Sequence, residues 1–356
     1  MKPCRGDDAG RGRASCQANG SGEGGRPRQP VSQFTGTVGV FDSGLGGLTV
    51  VRALREHLSD VDFIYLGDTA RVPYGTKHSA TVVRYAESCA ARLVDAGVSH
   101  LVVACNTASA WALSALEAQL SIPVTGVLES SARAAAEAHD EGAIIVLATP
   151  GTVRSGAYAR RIAQLRPETE VISVAAPLLV GLAEEGWVEG PIVEAVVERY
   201  LEPMRDRRAA TLVLGCTHFP LFSQTIAKCA MRLQAGAPVR LVSSGAALCA
   251  EVVAACRPER SVFAQGTAVK PSSSDPLPER RSLAPSASRR GVLDVWLTDD
   301  PEHVRHVVDS FLGPQGPVRH IAHVELADVR PLVKRSDTGL ARSRRTATAP
   351  SLKAFG

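Results

Sequence analysis

The sequence predicts an α/β fold made of two similar domains, each with a mostly parallel sheet flanked by helices. The first observation is that short apolar runs rich in β-branched residues alternate with helical patterns, which is typical of βαβ units. The second observation is an internal duplication, because LVVACNT at residues 101–107 aligns without gaps with LVLGCTH at residues 212–218. In each copy an apolar strand ends at a cysteine, and a helical pattern follows.

Nine apolar runs predict the strands, and helical patterns follow most of them. The predicted strands are residues 38–41, 63–66, 101–104, 124–127, 143–148, 171–174, 212–215, 239–242 and 293–297. The predicted helices are residues 48–58, 79–96, 107–119, 130–139, 152–165, 191–205, 219–233, 245–256 and 301–312. Pro191 and Pro301 suit the first turn of a helix, whereas Gly97 and Gly313 suit its end.

This alternation is interrupted by segments of a different composition. Residues 1–36 and 264–290 are rich in Gly, Ser, Arg and Pro and contain few apolar side chains, so burial cannot offset the entropy of ordering them. We expect a disordered N-terminal extension, a disordered insertion, and a basic tail over residues 328–356. The folded part then divides into one domain of residues 37–130 with 245–327, and a second of residues 131–244.

Composition and charge limit the classes of function. The chain has 356 residues, of which 45% are hydrophobic and 21% charged, as in ordinary globular proteins. Of the net charge of +4, residues 1–36 carry +3 and residues 334–356 carry +5, which leaves −4 on the body. A nucleic-acid groove in the folded body is therefore not expected. Because neither an export signal nor a long apolar span is found, we expect a cytoplasmic protein without membrane contact. A homodimer is compatible with the sequence.

The two cysteines of the duplicated segments suit acid–base chemistry. Ligands of open α/β sheets bind outside the carboxyl ends of strands, so Cys105 and Cys216 are expected to face one shared crevice. A thiol at a helix N-terminus has a lowered pKa, and we expect this of both cysteines. Two thiols on opposite sides of a substrate carbon can remove a proton from one face and supply one to the other. This arrangement would invert a stereocentre.

Polar residues follow other predicted strands as well. Asp42 and Ser43 lie in FDSGLGG at residues 41–47, where glycines allow tight turns and exposed N–H groups that suit a carboxylate. His218 is placed to hold the proton of Cys216 or to orient a substrate. The sequence PYG at residues 73–75 fits a turn as well as a site, and TPGT at residues 149–152 fits a helix cap as well as a site.

The remaining cysteines and glycines have simpler interpretations. The cysteines within helical patterns are predicted to be small core residues with reduced thiols, namely Cys89, Cys229, Cys249 and Cys256. Cys4 and Cys16 lie in the predicted N-terminal extension. A zinc site at Cys216 and His218 is not expected, because the chain contains no CxxC or HxxxH pair. The glycine run lacks the GxGxxG pattern of dinucleotide-binding loops.

Four of these segments together resemble the signature segments of the bacterial glutamate racemase family. They are FDSGLGG at 41–47, PYG at 73–75, ACNTA at 104–108 and GCTHFP at 215–220. The sequence from LTDDP at 297–301 to FLG at 311–313 also resembles the closing strand and helix of that family. The segments occur in the order and spacing of the family, over about residues 37–327 apart from the insertion.

This resemblance implies an isomerase that interconverts L- and D-glutamate with no cofactor and no metal. It implies that the product D-glutamate supplies peptidoglycan synthesis, and so serves cell-wall biogenesis and cell shape. The implied fold is two α/β domains related by pseudo-twofold symmetry, with the active site in the cleft between them. Glutamate is then the small-molecule substrate.

The resemblance also implies roles for individual residues. Cys105 would serve the D-enantiomer with the assistance of Asp42. Cys216 would serve the L-enantiomer with the assistance of His218 and Glu184, and Glu185 is the adjacent alternative. The residues that would hold the substrate are Asp42, Ser43, Tyr74, Gly75, Asn106, Thr107, Thr217 and His218.

Three other functions remain open at this point. Aspartate and hydantoin racemases share the fold and the two cysteines, although Asp42 and Ser43 together with His218 favour glutamate. A cysteine hydrolase with Cys216 as nucleophile and His218 as base would leave Cys105 without a role. A binding protein that uses its basic tails on an acidic partner would need neither thiol.

Overall fold

The computed structural model describes residues 36–139, 141–257, 290–301, 305–313 and 318–326. Within these ranges the strands are β1 (Thr37–Asp42), β2 (Asp62–Gly67), β3 (His100–Val103), β4 (Val124–Gly126), β5 (Ala143–Ala148), β6 (Val171–Ala175), β7 (Ala209–Gly215), β8 (Arg240–Ser243), β9 (Leu293–Leu297) and β10 (His320–His323). The strands form two sheets in which neighbouring strands are parallel.

The order of the strands places the cysteine-bearing segments centrally in each sheet. The six-stranded sheet has the order β10-β9-β2-β1-β3-β4, and the four-stranded sheet has the order β6-β5-β7-β8. Cys105 follows β3, which pairs with the central β1, and Cys216 follows β7, which lies between β5 and β8. Such strands are covered on both faces, which explains their nearly continuous apolar runs.

Helices pack on both faces of each sheet. They are α1 (Leu48–His57), α2 (Ser79–Asp95), α3 (Asn106–Gln119), α4 (Val127–Ala138), α5 (Pro150–Ser155), α6 (Ala157–Leu165), α7 (Leu178–Glu184), α8 (Pro191–Leu201), α9 (Ser223–Leu233), α10 (Ser244–Cys256) and α11 (Arg305–Leu312). The predicted α/β fold with parallel sheets flanked by helices is therefore confirmed. None of the helices in the described ranges is long and apolar enough to cross a bilayer.

Among the described residues, the two sheets divide the hydrophobic core into four clusters. The six-stranded sheet packs against α1, α10 and α11 on one face and against α2 and α3 on the other. The four-stranded sheet packs against α7, α8 and α9 on one face and against α4 and α6 on the other. In β5, Ile144 and Val146 belong to one cluster whereas Ile145 and Leu147 belong to the opposite one, as the period of two in a strand requires. The four helical cysteines predicted as core residues are buried.

Several predicted helix limits differ from the structure for local reasons. The predicted helix 152–165 is two helices, because Gly156 adopts φ 64° and separates α5 from α6. The predicted helix 219–233 opens with a 3-10 turn at Phe219–Phe222, so α9 begins only at Ser223. The predicted helix 191–205 ends at Leu201 and continues as a 3-10 turn.

Two elements were not predicted from the sequence. Strand β10 is an edge strand in which only the two middle residues are apolar, so it lacks the continuous apolar run of a central strand. Helix α7 has seven residues, which is too short for a helical period to be recognised.

The predicted segments 264–290 and 328–356 lie outside the described residues except for Arg290, and so does 1–36 except for Gly36. The predicted domain boundary after Ser130 falls within α4, and the boundary at Gly245 falls within the first turn of α10. Strands β1 to β4, β9 and β10 form one sheet and β5 to β8 the other. The domain limits themselves stay predictions.

Candidate active site

Asp42 and Cys105 lie at the carboxyl ends of neighbouring strands. Asp42 is the last residue of β1, and Phe41 before it pairs with Val103 at the end of β3. Cys105 is the N-cap of α3, where its Sγ accepts the N–H of Ala108 at 3.4 Å. The strand-end position that the sequence predicts for Cys105 is thus observed, and the cysteine is only 5% exposed.

The carboxylate of Asp42 is held by the glycine-rich loop that follows it. Its Oδ2 accepts the N–H groups of Gly44 at 3.2 Å and Gly47 at 3.0 Å. Its Oδ1 is buried and has no hydrogen-bond partner among the described residues. Burial raises the pKa of Asp42, against the opposing effects of the His218 charge and the backbone N–H groups. The result is a buried carboxylate with one oxygen available for a proton.

The surroundings of Cys105 keep its thiol protonated. Its Sγ lies 3.5 Å from the Oγ of Ser43. Burial and the charge of Asp42 raise the pKa of Cys105 to about 12, with a smaller contribution from Cys216. This contradicts the sequence-based expectation that the helix N-terminus lowers the pKa. The N–H of Ala108 and the hydroxyl of Ser43 do lower it, but desolvation and the nearby carboxylate outweigh them.

Cys216 lies at the end of β7, but a different kind of turn follows it. The carbonyl of Cys216 accepts the N–H of Phe219 at 3.2 Å, and a 3-10 turn separates the cysteine from α9. Cys216 is therefore not the N-cap of an α-helix, which corrects the sequence-based expectation. Its Sγ instead lies 3.7 Å from Nδ1 of His218. The two thiols thus have unequal surroundings despite the duplicated sequence.

His218 connects Cys216 to Glu184. Nε2 of His218 lies 3.4 Å from Oε1 of Glu184 without hydrogen-bond geometry, so the contact is electrostatic. Burial by itself lowers the pKa of His218, but contacts with Cys216 and Glu184, and the charge of Asp42, raise it to about 10. His218 is therefore a cation at neutral pH. Of the two adjacent carboxylates that the sequence offers, both are exposed, and Glu184 is the one that contacts His218.

Three threonine hydroxyls meet between the N-terminal ends of α3 and α5, two helices that follow strands of different sheets. Oγ1 of Thr107, in the first turn of α3, lies 2.8 Å from that of Thr149 and 3.1 Å from that of Thr152. Thr149 follows β5, the neighbour of β7, and also caps α5 by accepting the N–H of Thr152 at 3.4 Å. Thr149 and Thr152 were not among the predicted site residues. Their position after a central strand was the signal, but a helix cap explained it equally well.

The predicted residues Tyr74 and Gly75 differ in their placement. Gly75 lies against the threonine hydroxyls, since a Cβ atom at this position would come within 2.7 Å of Cβ of Thr149. The hydroxyl of Tyr74 instead donates to Asp68 and lies 3.9 Å from Sγ of Cys89. The structure therefore places Gly75 against Thr149 but directs the hydroxyl of Tyr74 into the core of the six-stranded sheet.

Both polar groups of the Asn106 side chain form hydrogen bonds within the protein. Its Oδ1 accepts the hydroxyl of Tyr158 at 2.7 Å, and its Nδ2 donates to Oγ of Ser244 at 3.1 Å. Thr217, in contrast, presents Oγ1 3.5 Å from Nδ1 of His218. The predicted group of substrate-binding side chains therefore divides into those near the thiols or the threonine hydroxyls and those, Tyr74 and Asn106, that support the structure. In the described ranges no group of three or more His, Cys, Asp or Glu could hold a metal ion.

Comparisons with known proteins agree on one family. A family model described as Asp/Glu/hydantoin racemase matches residues 46–252. A glutamate racemase of Geobacter metallireducens is 49% identical over 207 residues, which are 58% of this chain and 75% of the relative. A glutamate racemase of Koribacter versatilis is 38% identical over 303 residues, which are 83% and 99% of the two chains. The crystal structure of the Francisella tularensis glutamate racemase with D-glutamate has a TM-score of 0.67 and 32% identity, covering 82% of this chain and 98% of that chain.

Proposed function

Because the chain belongs to the Asp/Glu/hydantoin racemase family, we propose that it is a glutamate racemase in which Cys105 and Cys216 exchange protons with opposite faces of the substrate. The observation that carries the proposal is that each thiol lies at the end of a central strand and has its own acid–base partner, Asp42 or His218. Glutamate is favoured over aspartate or a hydantoin because the relatives and the solved structure described above are glutamate racemases.

The conversion of L-glutamate begins at Cys216. The pKa of His218 is raised, so its positive charge lies next to the sulfur atom of Cys216. The thiolate of Cys216 removes the α-proton, and Glu184 balances the charge of His218. Cys105, which keeps its proton at neutral pH, then donates that proton to the opposite face of the carbanion. The product is D-glutamate.

The conversion of D-glutamate requires that Cys105 first lose its proton. Asp42 is the group in the site suited to accept it, because Oδ1 is buried and unpartnered among the described residues and burial makes the carboxylate more basic than usual. The resulting thiolate of Cys105 removes the α-proton. Cys216 takes a proton from the His218 imidazolium beside it and donates that proton to the opposite face of the carbanion. The cycle closes when Asp42 releases its proton and His218 regains one.

The substrate carboxylates are bound by hydroxyl groups and backbone N–H groups. Oγ1 atoms of Thr107, Thr149 and Thr152 lie within 3.1 Å of their neighbours and together offer several donors to one anion. Gly75 packs against Thr149 and allows the chain to approach this cluster closely. Ser43 and Thr217 lie beside Cys105 and His218, and serve the second carboxylate and the ammonium group.

The biological assignment follows from the family. D-glutamate made by this enzyme supplies peptidoglycan synthesis, and the reaction takes place in the cytoplasm without any cofactor. We also propose that the chain forms a homodimer and that its two domains comprise residues 37–130 with 245–327, and residues 131–244. The division of the strands between the two sheets supports these domain limits.

Circular dichroism of glutamate, followed from each pure enantiomer with the full chain, tests the proposal. Both traces should decay to zero, because the two enantiomers have equal free energy. In D₂O the product should carry deuterium on the α-carbon. A chain that leaves both glutamate enantiomers unchanged while it racemises aspartate or a 5-substituted hydantoin would overturn the assignment of the substrate. The absence of α-deuterium in the product would overturn the proton-exchange mechanism.

A further inference from the structure

Two buried hydroxyl groups bond to the backbone on both sides of Cys216, and each also contacts a residue of the six-stranded half of the molecule. Oγ1 of Thr49, in α1, lies 2.9 Å from the carbonyl oxygen of Thr217, directly after the cysteine. Oγ of Ser244, the first residue of α10, donates to the carbonyl of Leu214 at 3.2 Å, two residues before the cysteine. The backbone that bears Cys216 is therefore held at two points.

The contact through Thr49 also includes the loop that holds Asp42. Oγ1 of Thr49 lies 2.8 Å from the carbonyl oxygen of Gly46 as well as 2.9 Å from that of Thr217. Gly46 and Thr217 are packed so closely that a Cβ atom on Gly46 would lie 2.4 Å from Oγ1 of Thr217. A shift of the Thr217 segment relative to the Asp42 loop would therefore break a hydrogen bond and open a gap.

The contact through Ser244 extends to the residue after Cys105. Oγ of Ser244 accepts Nδ2 of Asn106 at 3.1 Å while it donates to Leu214. Tyr158 fixes the orientation of the Asn106 amide by donating its hydroxyl to Oδ1 at 2.7 Å. A continuous chain of hydrogen bonds thus runs from Asn106 to Leu214, and both Asn106 and Ser244 are nearly inaccessible to solvent.

We propose that Thr49 and Ser244 are positioning residues that set the separation between Sγ of Cys105 and Sγ of Cys216. This inference rests on the proposed function, in which one thiol removes a proton while the other donates one. Proton transfer depends steeply on distance, and a displacement of about 1 Å can reduce a rate about a hundredfold. Neither residue touches the substrate in this scheme, and each acts through the backbone next to Cys216.

A reaction that needs only one thiol separates positioning from general damage. In 3-chloro-D-glutamate, Cys105 removes the α-proton, the C–H electron pair forms the Cα=Cβ bond, and chloride leaves with its electron pair. The enamine then tautomerises to an imine, which water hydrolyses to the 2-oxo acid and ammonia. Because Cys216 donates no proton in this elimination, a displaced Cys216 should slow racemisation and leave elimination nearly unchanged.

The experiment compares two variants with two matched controls in the full chain. Thr49→Val and Ser244→Ala remove the two hydroxyls. Thr211→Val removes a buried hydroxyl on β7 that has no hydrogen-bond partner among the described residues, and Ser88→Ala removes one that bonds only within α2. We expect racemisation kcat to fall about tenfold or more in Thr49→Val and Ser244→Ala, with elimination and KM changed less than about threefold. The controls should keep both activities.

Several outcomes would overturn the inference. Equal losses of racemisation and elimination in Thr49→Val and Ser244→Ala would indicate general structural damage. Unchanged racemisation would show that the two hydroxyls do not determine the separation of the two thiols. If Ser244→Ala does not fold, Thr49→Val decides, since valine closely preserves the shape of threonine. Failure of the unmodified chain to racemise glutamate would instead contradict the proposed function, so the two failures are distinguishable.

Discussion

Nδ1 of His218 lies 3.7 Å from Sγ of Cys216, so a buried imidazole adjoins the second of the two duplicated thiols. The first thiol, Cys105, contacts the hydroxyl of Ser43, and the negative charge of Asp42 raises its pKa. The two halves of the site therefore use opposite charges next to the same functional group. This difference leads to predictions that distinguish the two thiols.

Replacement of either thiol should remove racemase activity. General acid–base groups contribute about 10² to 10⁴-fold to a rate. Cys105→Ala and Cys216→Ala should therefore each lower kcat by about a hundredfold or more. The measurement is circular dichroism with both enantiomers. Cys256→Ala, which removes a buried thiol at the end of α10, is the control and should retain activity. Residual activity above about 10% of normal in Cys105→Ala would show that one thiol suffices.

Replacement of the helper groups should affect the two directions unequally. His218→Gln should lower kcat from L-glutamate more, and Asp42→Asn should lower kcat from D-glutamate more, because each helper serves one thiol. The enantiomers have equal free energy, so kcat/KM must fall equally in both directions. The asymmetry is measured in kcat and in the primary isotope effect with α-deuterated substrate. Identical isotope effects in both directions for both variants would contradict the division of roles.

His218 should make the stability of the protein depend on pH. Its pKa in the folded protein is about 10, above the value of 6.5 for an unperturbed histidine. A raised pKa means that the folded state binds the proton more tightly, so the stabilisation is complete below pH 6.5 and is lost as the pH rises to about 10. Urea unfolding should show a midpoint that falls over this window in the unmodified protein and less so in His218→Gln. If the urea midpoints of the unmodified protein and of His218→Gln changed equally with pH over this window, His218 would not be protonated in the folded protein.

The threonine cluster should determine affinity for the substrate. Thr107→Val and Thr149→Val each remove a hydroxyl offered to a carboxylate, and hydrogen bonds to charged groups contribute roughly 1.5–3 kcal/mol, so KM should rise about tenfold to a hundredfold. Because these hydroxyls contact neither thiol, kcat should change less. Steady-state kinetics measure both constants. An unchanged KM in Thr149→Val would remove the cluster from the substrate site.

Thr211→Val should make the protein more stable. The hydroxyl of Thr211 is fully buried in β7 and has no hydrogen-bond partner in the described ranges. Such a group carries the cost of desolvation without a compensating bond, and valine has nearly the same shape, so unfolding should become roughly 1 kcal/mol less favourable. Thermal or urea unfolding gives the difference. A lower midpoint would indicate that the hydroxyl has a partner after all.

Much of the framework could be predicted because it depends on short-range patterns. All nine predicted strands lie where the structure has strands, and Ala143–Ala148 and Leu293–Leu297 have the predicted limits. The edge strand β10 and the short helix α7 were missed, since their few residues carry too weak a periodic signal. Helix ends near Gly156 and Pro220 were displaced by local backbone geometry that a hydrophobic pattern does not record.

The sequence by itself determined the two thiols, because Cys105 and Cys216 each follow an apolar strand in a repeat that can be aligned residue by residue. Only the tertiary structure decided what surrounds them. Thr149 approaches Thr107 from 42 residues away, and Ser244 approaches Asn106 from 138 residues away. The raised pKa of Cys105 likewise depends on burial next to Asp42. These contacts join residues that are far apart in the sequence. A hydrophobic pattern within one segment cannot predict them, because they form only when the whole chain has folded.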